Sequence, residues 1–192
     1  MIVSLLLAFA LGAEAPAAAT QQVALDKQAS LTIPAGWEAK SYRMPVRGAI
    51  NFRITSGDLR MAVTGFPKPK QADESNAAMM GLLKDVSEED KVKFDVMNAS
   101  MQYVMLGGKP YSTDEEPTFK GTGYVGALMT VAAPGEEAIF PVFEGRKYQC
   151  VTTSVIKTET MAYVISVGST SCSGADHTAA VAAIRSVVIA GG

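Results

Sequence analysis

A chain of 192 residues that is 48% apolar can bury an ordinary hydrophobic core. With 17 basic and 19 acidic side chains the net charge is −2, which excludes a nucleic-acid binder held by bulk electrostatics. One His and two Cys leave mainly carboxylates as metal ligands, so no cofactor is expected.

Residues 2–13, IVSLLLAFALGA, are almost wholly apolar and lead into the small residues of EAPAAAT. That layout predicts a signal peptide over residues 1–19, with cleavage after Ala17 or Ala19 preferred to cleavage after Ala15, which would leave Pro16 beside the cut. No Lys or Arg precedes the apolar run, so either the start lies upstream or the amino terminus supplies the charge. Twelve apolar residues cannot span a hydrocarbon core that needs about 20, so the expected product is periplasmic or secreted with no transmembrane span. The remaining residues, 20–192, are expected to form a single domain.

QASLTI alternates as a strand, Pro34-Ala35-Gly36 reads as a reversing turn, and Trp37 is expected to pin the resulting hairpin at a sheet edge. INFRIT and LRMAVT form two further strands around SGD. Setting Ile54 against Leu59 also sets Phe52 against Met61 and Ile50 against Val63, a continuous apolar face. That register places Arg53 opposite Arg60, a pair of guanidiniums suited to an anion or an acidic partner segment. From Lys40 to Lys70 seven basic residues, Arg43, Arg47, Lys68 and Lys70 among them, meet only Asp58; from Gln71 to Glu144 thirteen acidic residues meet five Lys.

DESNAAMMGLLKDV suits an amphipathic helix capped near Ser75. SEED then repeats a capping-box spacing, which favours a second helix ending at Gly107, although Val92-Phe94-Val96 also alternates as a strand would. Met79, Met80, Met97, Met101 and Met105 read as adaptable core filler, with a soft peptide-binding or Cu(I) surface as the other possibility. The acidic run Asp114 to Glu116 lacks the spacing of a calcium loop and reads as a solvated face.

GTGYVG, Gly121 to Gly126, matches a dinucleotide fingerprint, but the strand-like ALMTVAAPG follows it where a helix would be required. AIFPVFEG is another strand, and KYQCVTTSVI and MAYVISVGS form a hairpin around KTET. The last helix, DHTAAVAAIRSVVIAGG, is expected to start at an Asp176 cap, to show Val181, Ile184 and Val188 on one face, and to stop at Gly191. Strands, then helices, then an antiparallel meander and a closing helix predict an α+β fold: an antiparallel sheet packed by helices, with a mid-chain helical insertion.

Cys150 and Cys172 are the two cysteines, and an isolated pair in an oxidising compartment predicts a disulfide across 21 intervening residues. The competing reading makes Cys172 a nucleophile with His177, and Ser169, Ser171 and Ser173 near Asp176-His177 invite a serine variant of it. The spacing is local, whereas a triad converges from separate elements, and His177 beside a helix start reads as a surface residue.

TIPAGW, the strands after it, the helical middle, the YQCVTTSV/AYVISVGS hairpin and the final AAVAAIRSVV helix together resemble the PsbP-like fold, in its exported bacterial DcrB-like members. The long acidic middle between Gln71 and Glu116 departs from that pattern. The resemblance implies an accessory subunit or adaptor. The expected function is therefore an exported, non-enzymatic binding or accessory protein of the bacterial envelope, meeting a protein or anionic envelope partner through a surface patch. A small secreted hydrolase using Ser or Cys with His177, and an envelope chaperone or immunity-type protein, are the alternatives.

Overall fold

The computed structural model describes residues 19–43, 48–68, 86–112, 115–141 and 146–190. The leader, the helix expected from Ser75, Arg47, Lys70, Met79, Met80 and Asp114 lie outside the described residues. In chain order the elements are β1 (Thr20–Ala24), β2 (Ala29–Pro34), β3 (Glu38–Ser41), β4 (Ile50–Ser56), β5 (Leu59–Pro67), α1 (Glu88–Met105), β6 (Lys109–Pro110), β7 (Thr118–Gly121), β8 (Tyr124–Ala132), β9 (Phe140–Pro141), β10 (Lys147–Tyr148), β11 (Cys150–Thr158), β12 (Met161–Ser169), α2 (Ala175–Arg185) and β13 (Val188–Ile189). The class is α+β.

The main sheet has the order β3-β4-β5-β12-β11-β8-β6, with β7 also paired to β8. All its pairings are antiparallel. At its centre β11 and β12 form the hairpin expected around KTET, turning on Glu159-Thr160. Thr158 closes that turn by accepting from the Met161 N–H at 2.9 Å. A three-stranded sheet, β1-β2-β13, packs over one face of the main sheet, and Leu31 and Ile33 share a buried cluster there with Ile54, Met61, Ile165 and Ile184. On the other face Val92 and Val96 of α1 are buried with Ala127 and Val155.

Local chemistry explains the ends of α1. Ser87 is its N-cap, accepting from the Asp90 N–H at 3.1 Å while its hydroxyl donates to the Asp90 carboxylate at 2.7 Å. Gly107, at φ +93°, follows the helix end, where a side chain would be strained.

Several expectations are corrected. Pro34 to Gly36 does turn the chain, with Gly36 at φ +88°, but β2 and β3 do not pair. β2 lies between β1 and β13, so the turn carries the chain from the small sheet to the large one, and Trp37 is buried in the core that the two share. The β4–β5 register differs by two residues: Ile54 faces Met61, Arg53 faces Ala62, and Arg60 faces Thr55. A shift of two keeps every side chain on its own face, so the apolar pattern could not distinguish the two pairings. The two-residue turn Gly57-Asp58, with Gly57 at φ +51°, selects the one adopted.

At α2 the N-cap is Gly174 rather than Asp176, because the Thr178 N–H reaches the Gly174 carbonyl at 3.0 Å and begins the helix two residues earlier. The helix ends at Arg185 rather than Gly191. Ser186 closes it, donating to the Ala183 carbonyl at 2.7 Å and accepting from the Thr32 N–H at 2.9 Å. The chain then extends as β13, which leaves Val188 exposed instead of on a helix face.

Candidate functional site: a cleft beside a buried histidine relay

Cys150 opens β11, and Cys172 lies in the loop between β12 and α2; the two form a disulfide with Cα atoms 5.2 Å apart. The bridge draws that loop against the sheet and sets the N-terminal turn of α2 over β8 and β11. His177, in this turn, is 3% exposed and not the surface residue expected.

Three strands supply its surroundings. Thr130 and Thr152 are direct cross-strand partners on β8 and β11, and Ser169 faces Cys150 across β12 and β11. The Thr152 hydroxyl lies 2.9 Å from His177 Nε2, Thr130 Oγ1 lies 2.6 Å from Thr152 Oγ1, and Ser169 Oγ lies 2.8 Å from His177 Nδ1.

Counting hydrogens allows two directions for this chain. Ser169 has one hydroxyl hydrogen, within reach of the Ser171 carbonyl at 3.0 Å and of His177 Nδ1 at 2.8 Å. With it on the carbonyl, Nδ1 carries the ring hydrogen, Thr152 donates to Nε2 and Thr130 donates to Thr152; with it on Nδ1, the other neutral tautomer donates from Nε2 and both bonds reverse. Each group is satisfied with a neutral ring. Burial pushes the His177 pKa down from 6.5 to about 4, consistent with that neutral ring. The Cys150 sulfur, 3.7 Å from Nε2, has no hydrogen to give once oxidised.

This wiring decides what the group can do as arranged. The disulfide leaves neither cysteine as a thiolate, so the Cys172 nucleophile reading is corrected. Ser169 lies 2.8 Å from His177 Nδ1 and 3.0 Å from the Ser171 carbonyl, and it is buried, at 5% exposure. Asp176 does not orient the ring; its carboxylate lies 3.5 Å from Ser56 Oγ.

The relay ends in a cleft of about 360 Å³, whose lining includes Leu128, Thr130, Cys172, His177, Val181 and Ala182. Tyr111, Glu115 and Thr178 complete its rim. Arg185 holds that rim to α2: its Nε lies 2.9 Å from Glu115 Oε2 and its guanidinium carbon 5.4 Å from the Phe119 ring centroid.

The other candidates fall elsewhere. Arg53 and Arg60 share the sheet face opposite the cleft but are diagonal neighbours, not a direct pair. Arg60 donates to the Gly57 and Leu59 carbonyls at 2.6 and 2.7 Å, so its own turn occupies it. Arg53 faces Lys40 on its other side and lies 5.7 Å from the Tyr42 ring centroid.

GTGYVG spans the β7–β8 hairpin turn, and it runs directly into strand β8 rather than into a helix. A Cβ on Gly126 would come within 2.6 Å of the Phe119 ring, so the glycine makes room for an aromatic. Met97, Met101 and Met105 are exposed and are not core filler: the buried side of α1 is Val92, Val96, Ser100 and Tyr103. Among the acidic runs, Glu88 pairs with Lys91, Asp90 with Lys93, and Glu89 with Lys120.

No protein-family model, curated protein or solved structure matches the chain. Sequence reading missed Thr130, Thr152 and the burial of His177. Thr130 and Thr152, set among apolar strand residues, were the available signal, since hydroxyls on an inward face need buried partners.

Proposed function

We propose that this chain is an exported, non-enzymatic binding or accessory protein of the bacterial envelope, and that it takes a small ligand in the cleft between α2 and β8. The observation carrying the reading is the cleft itself: about 360 Å³, walled mainly by apolar side chains and floored by the end of a fully satisfied hydrogen-bond chain. Ligand sites have this size and this mixture of an apolar wall with few fixed polar groups. The leader pattern and the disulfide support an oxidising compartment, and no helix among the described residues is long and apolar enough to cross a membrane. The resemblance to PsbP-like adaptors points the same way.

A secreted hydrolase is the second reading, favoured by the 2.8 Å Ser169–His177 contact. It requires the Ser169 hydrogen to lie on Nδ1 rather than on the Ser171 carbonyl.

Thermal-shift screening of a small-molecule library against wild type and Ala182→Trp, which fills the cleft mouth, separates the readings. Compounds that stabilise only the wild type support the binding role. A library without such compounds, together with ester turnover abolished by Ser169→Ala, overturns it in favour of the hydrolase. Intact-mass measurement of protein from the envelope fraction tests export: a chain starting between Pro16 and Gln21 is expected, and retention of Met1 would remove the compartment argument.

A further inference from the structure

We propose that the Cys150–Cys172 bridge is a thiol–disulfide exchange site, attacked from the cleft at Cys172 by a small organic thiol. The two sulfurs stand in unlike surroundings. Cys172 is half-buried and lines the cleft, whereas Cys150 is 0% exposed at the start of β11. Exchange begins when a thiolate reaches one sulfur of a bridge, so access selects which sulfur is attacked. The cleft, of about 360 Å³, gives a small molecule that access on the Cys172 side alone.

The step balances without a further reagent. The incoming thiolate bonds to the Cys172 sulfur, the S–S bond breaks, and its electron pair leaves on the Cys150 sulfur. The proton that the thiol gives up on ionising is matched by the one that Cys150 takes up. The incoming sulfur is oxidised and the Cys150 sulfur reduced, so the products are a mixed disulfide on Cys172 and a thiol at Cys150. Cys172 is thus an electrophile rather than a nucleophile.

The surroundings suit Cys150 to the leaving role. Its sulfur lies 3.7 Å from His177 Nε2, so a thiol released there keeps a polar partner although it is buried. Either neutral tautomer of the ring serves: the S–H donates to a bare Nε2, or the sulfur accepts when Nε2 carries the hydrogen. The group left on Cys172 shares the cleft with Leu128, Val181 and Ala182, so exchange occupies the cleft covalently. None of this requires that the cleft also bind a ligand reversibly.

The test treats the oxidised full chain with mercaptoethanol under native conditions, quenches in acid and maps the peptides. The mercaptoethanol adduct should lie on Cys172 in at least about tenfold excess over Cys150, because only the accessible sulfur is attacked. Ala182→Trp, which fills the cleft mouth, and Thr178→Trp at its rim should each slow bridge reduction, with melting temperatures reporting that the variants fold. In the single-thiol variants, Cys172 of Cys150→Ser should react with methyl methanethiosulfonate faster than Cys150 of Cys172→Ser, and the two rates should converge in urea.

An adduct on Cys150, or divided evenly between the two, overturns the proposal. So does reduction that proceeds only at the rate of global unfolding, or at an unchanged rate in both tryptophan variants. If the single-thiol variants do not fold, the adduct map of the oxidised wild type decides alone. Compounds that stabilise the wild type in the library screen leave this outcome untouched, so the binding role and the exchange site stand or fall separately.

Discussion

Between pH 7 and pH 4 the folded protein is expected to lose stability at His177. The unfolded chain binds a proton there near pH 6.5, while burial holds the folded group neutral until about pH 4. Within that window the unfolded state carries the extra proton, so stability rises with pH at about 1.4 kcal/mol per unit. The contribution is fully present above pH 6.5, is lost as the pH falls toward 4, and then levels off after a total of about 3 kcal/mol.

The control is His177→Asn, whose amide keeps a donor near Ser169 but does not titrate. At neutral pH it should be the less stable protein by about 1–3 kcal/mol, because Thr152 loses its ring partner. Its acid profile should be flatter than that of wild type. Glu38, Glu88 and Asp90, held below the usual carboxylate range first by hydrogen bonds from Lys40, Lys91 and Ser87 respectively, contribute equally to both proteins and cancel in the difference. Urea unfolding at half-unit pH steps reads the two curves. Parallel curves, or an imidazole proton resonance titrating near 6.5, would refute the buried neutral relay.

Gly126→Ala should destabilise by about 1–3 kcal/mol in chemical denaturation, because its Cβ would come within 2.6 Å of the Phe119 ring; Gly135→Ala, with nothing within 4 Å, should be near neutral. Arg60→Thr should leave phosphate titration unchanged and cost about 1 kcal/mol through its lost turn contacts, and weaker phosphate binding would reinstate an anion site at Arg53 and Arg60. Under limiting peroxide, peptide mapping should find Met105, at 81% exposure, oxidised before Met97 and Met101, and fully buried Met61 should stay intact in the folded protein.

The elements that the sequence made legible were those specified locally. Two runs rich in β-branched and aromatic residues on both sides of Glu159-Thr160 defined the central hairpin, and Ser87 with Asp90 marked the start of α1. What escaped was fixed by distant partners. β1 carries one buried residue in five, and β13 has only two residues, so neither shows a period to read. Their existence depends on pairing with β2. The site was half legible. The two cysteines could be paired from composition and compartment, but SCSGADH has the look of a surface loop. His177 is buried only because Thr130, Thr152 and Ser169 arrive from three strands, and no local pattern encodes that meeting.

The three-stranded sheet has a consequence for how the molecule is assembled. β2 is flanked by β1, its neighbour in sequence, and by β13, from the far end of the chain. Ser186 clasps Thr32 across a separation of 154 residues, accepting from its N–H at 2.9 Å. A chain emerging from a ribosome or a translocation pore therefore has no completed edge for β2 until nearly all of it has passed through. Closing so long a loop is slow, and until it closes the apolar residues of β2 remain open to solvent and to other chains. The first structured segment to be synthesised is thus among the last to be sealed, and losing a few residues near position 188 would be felt at position 32.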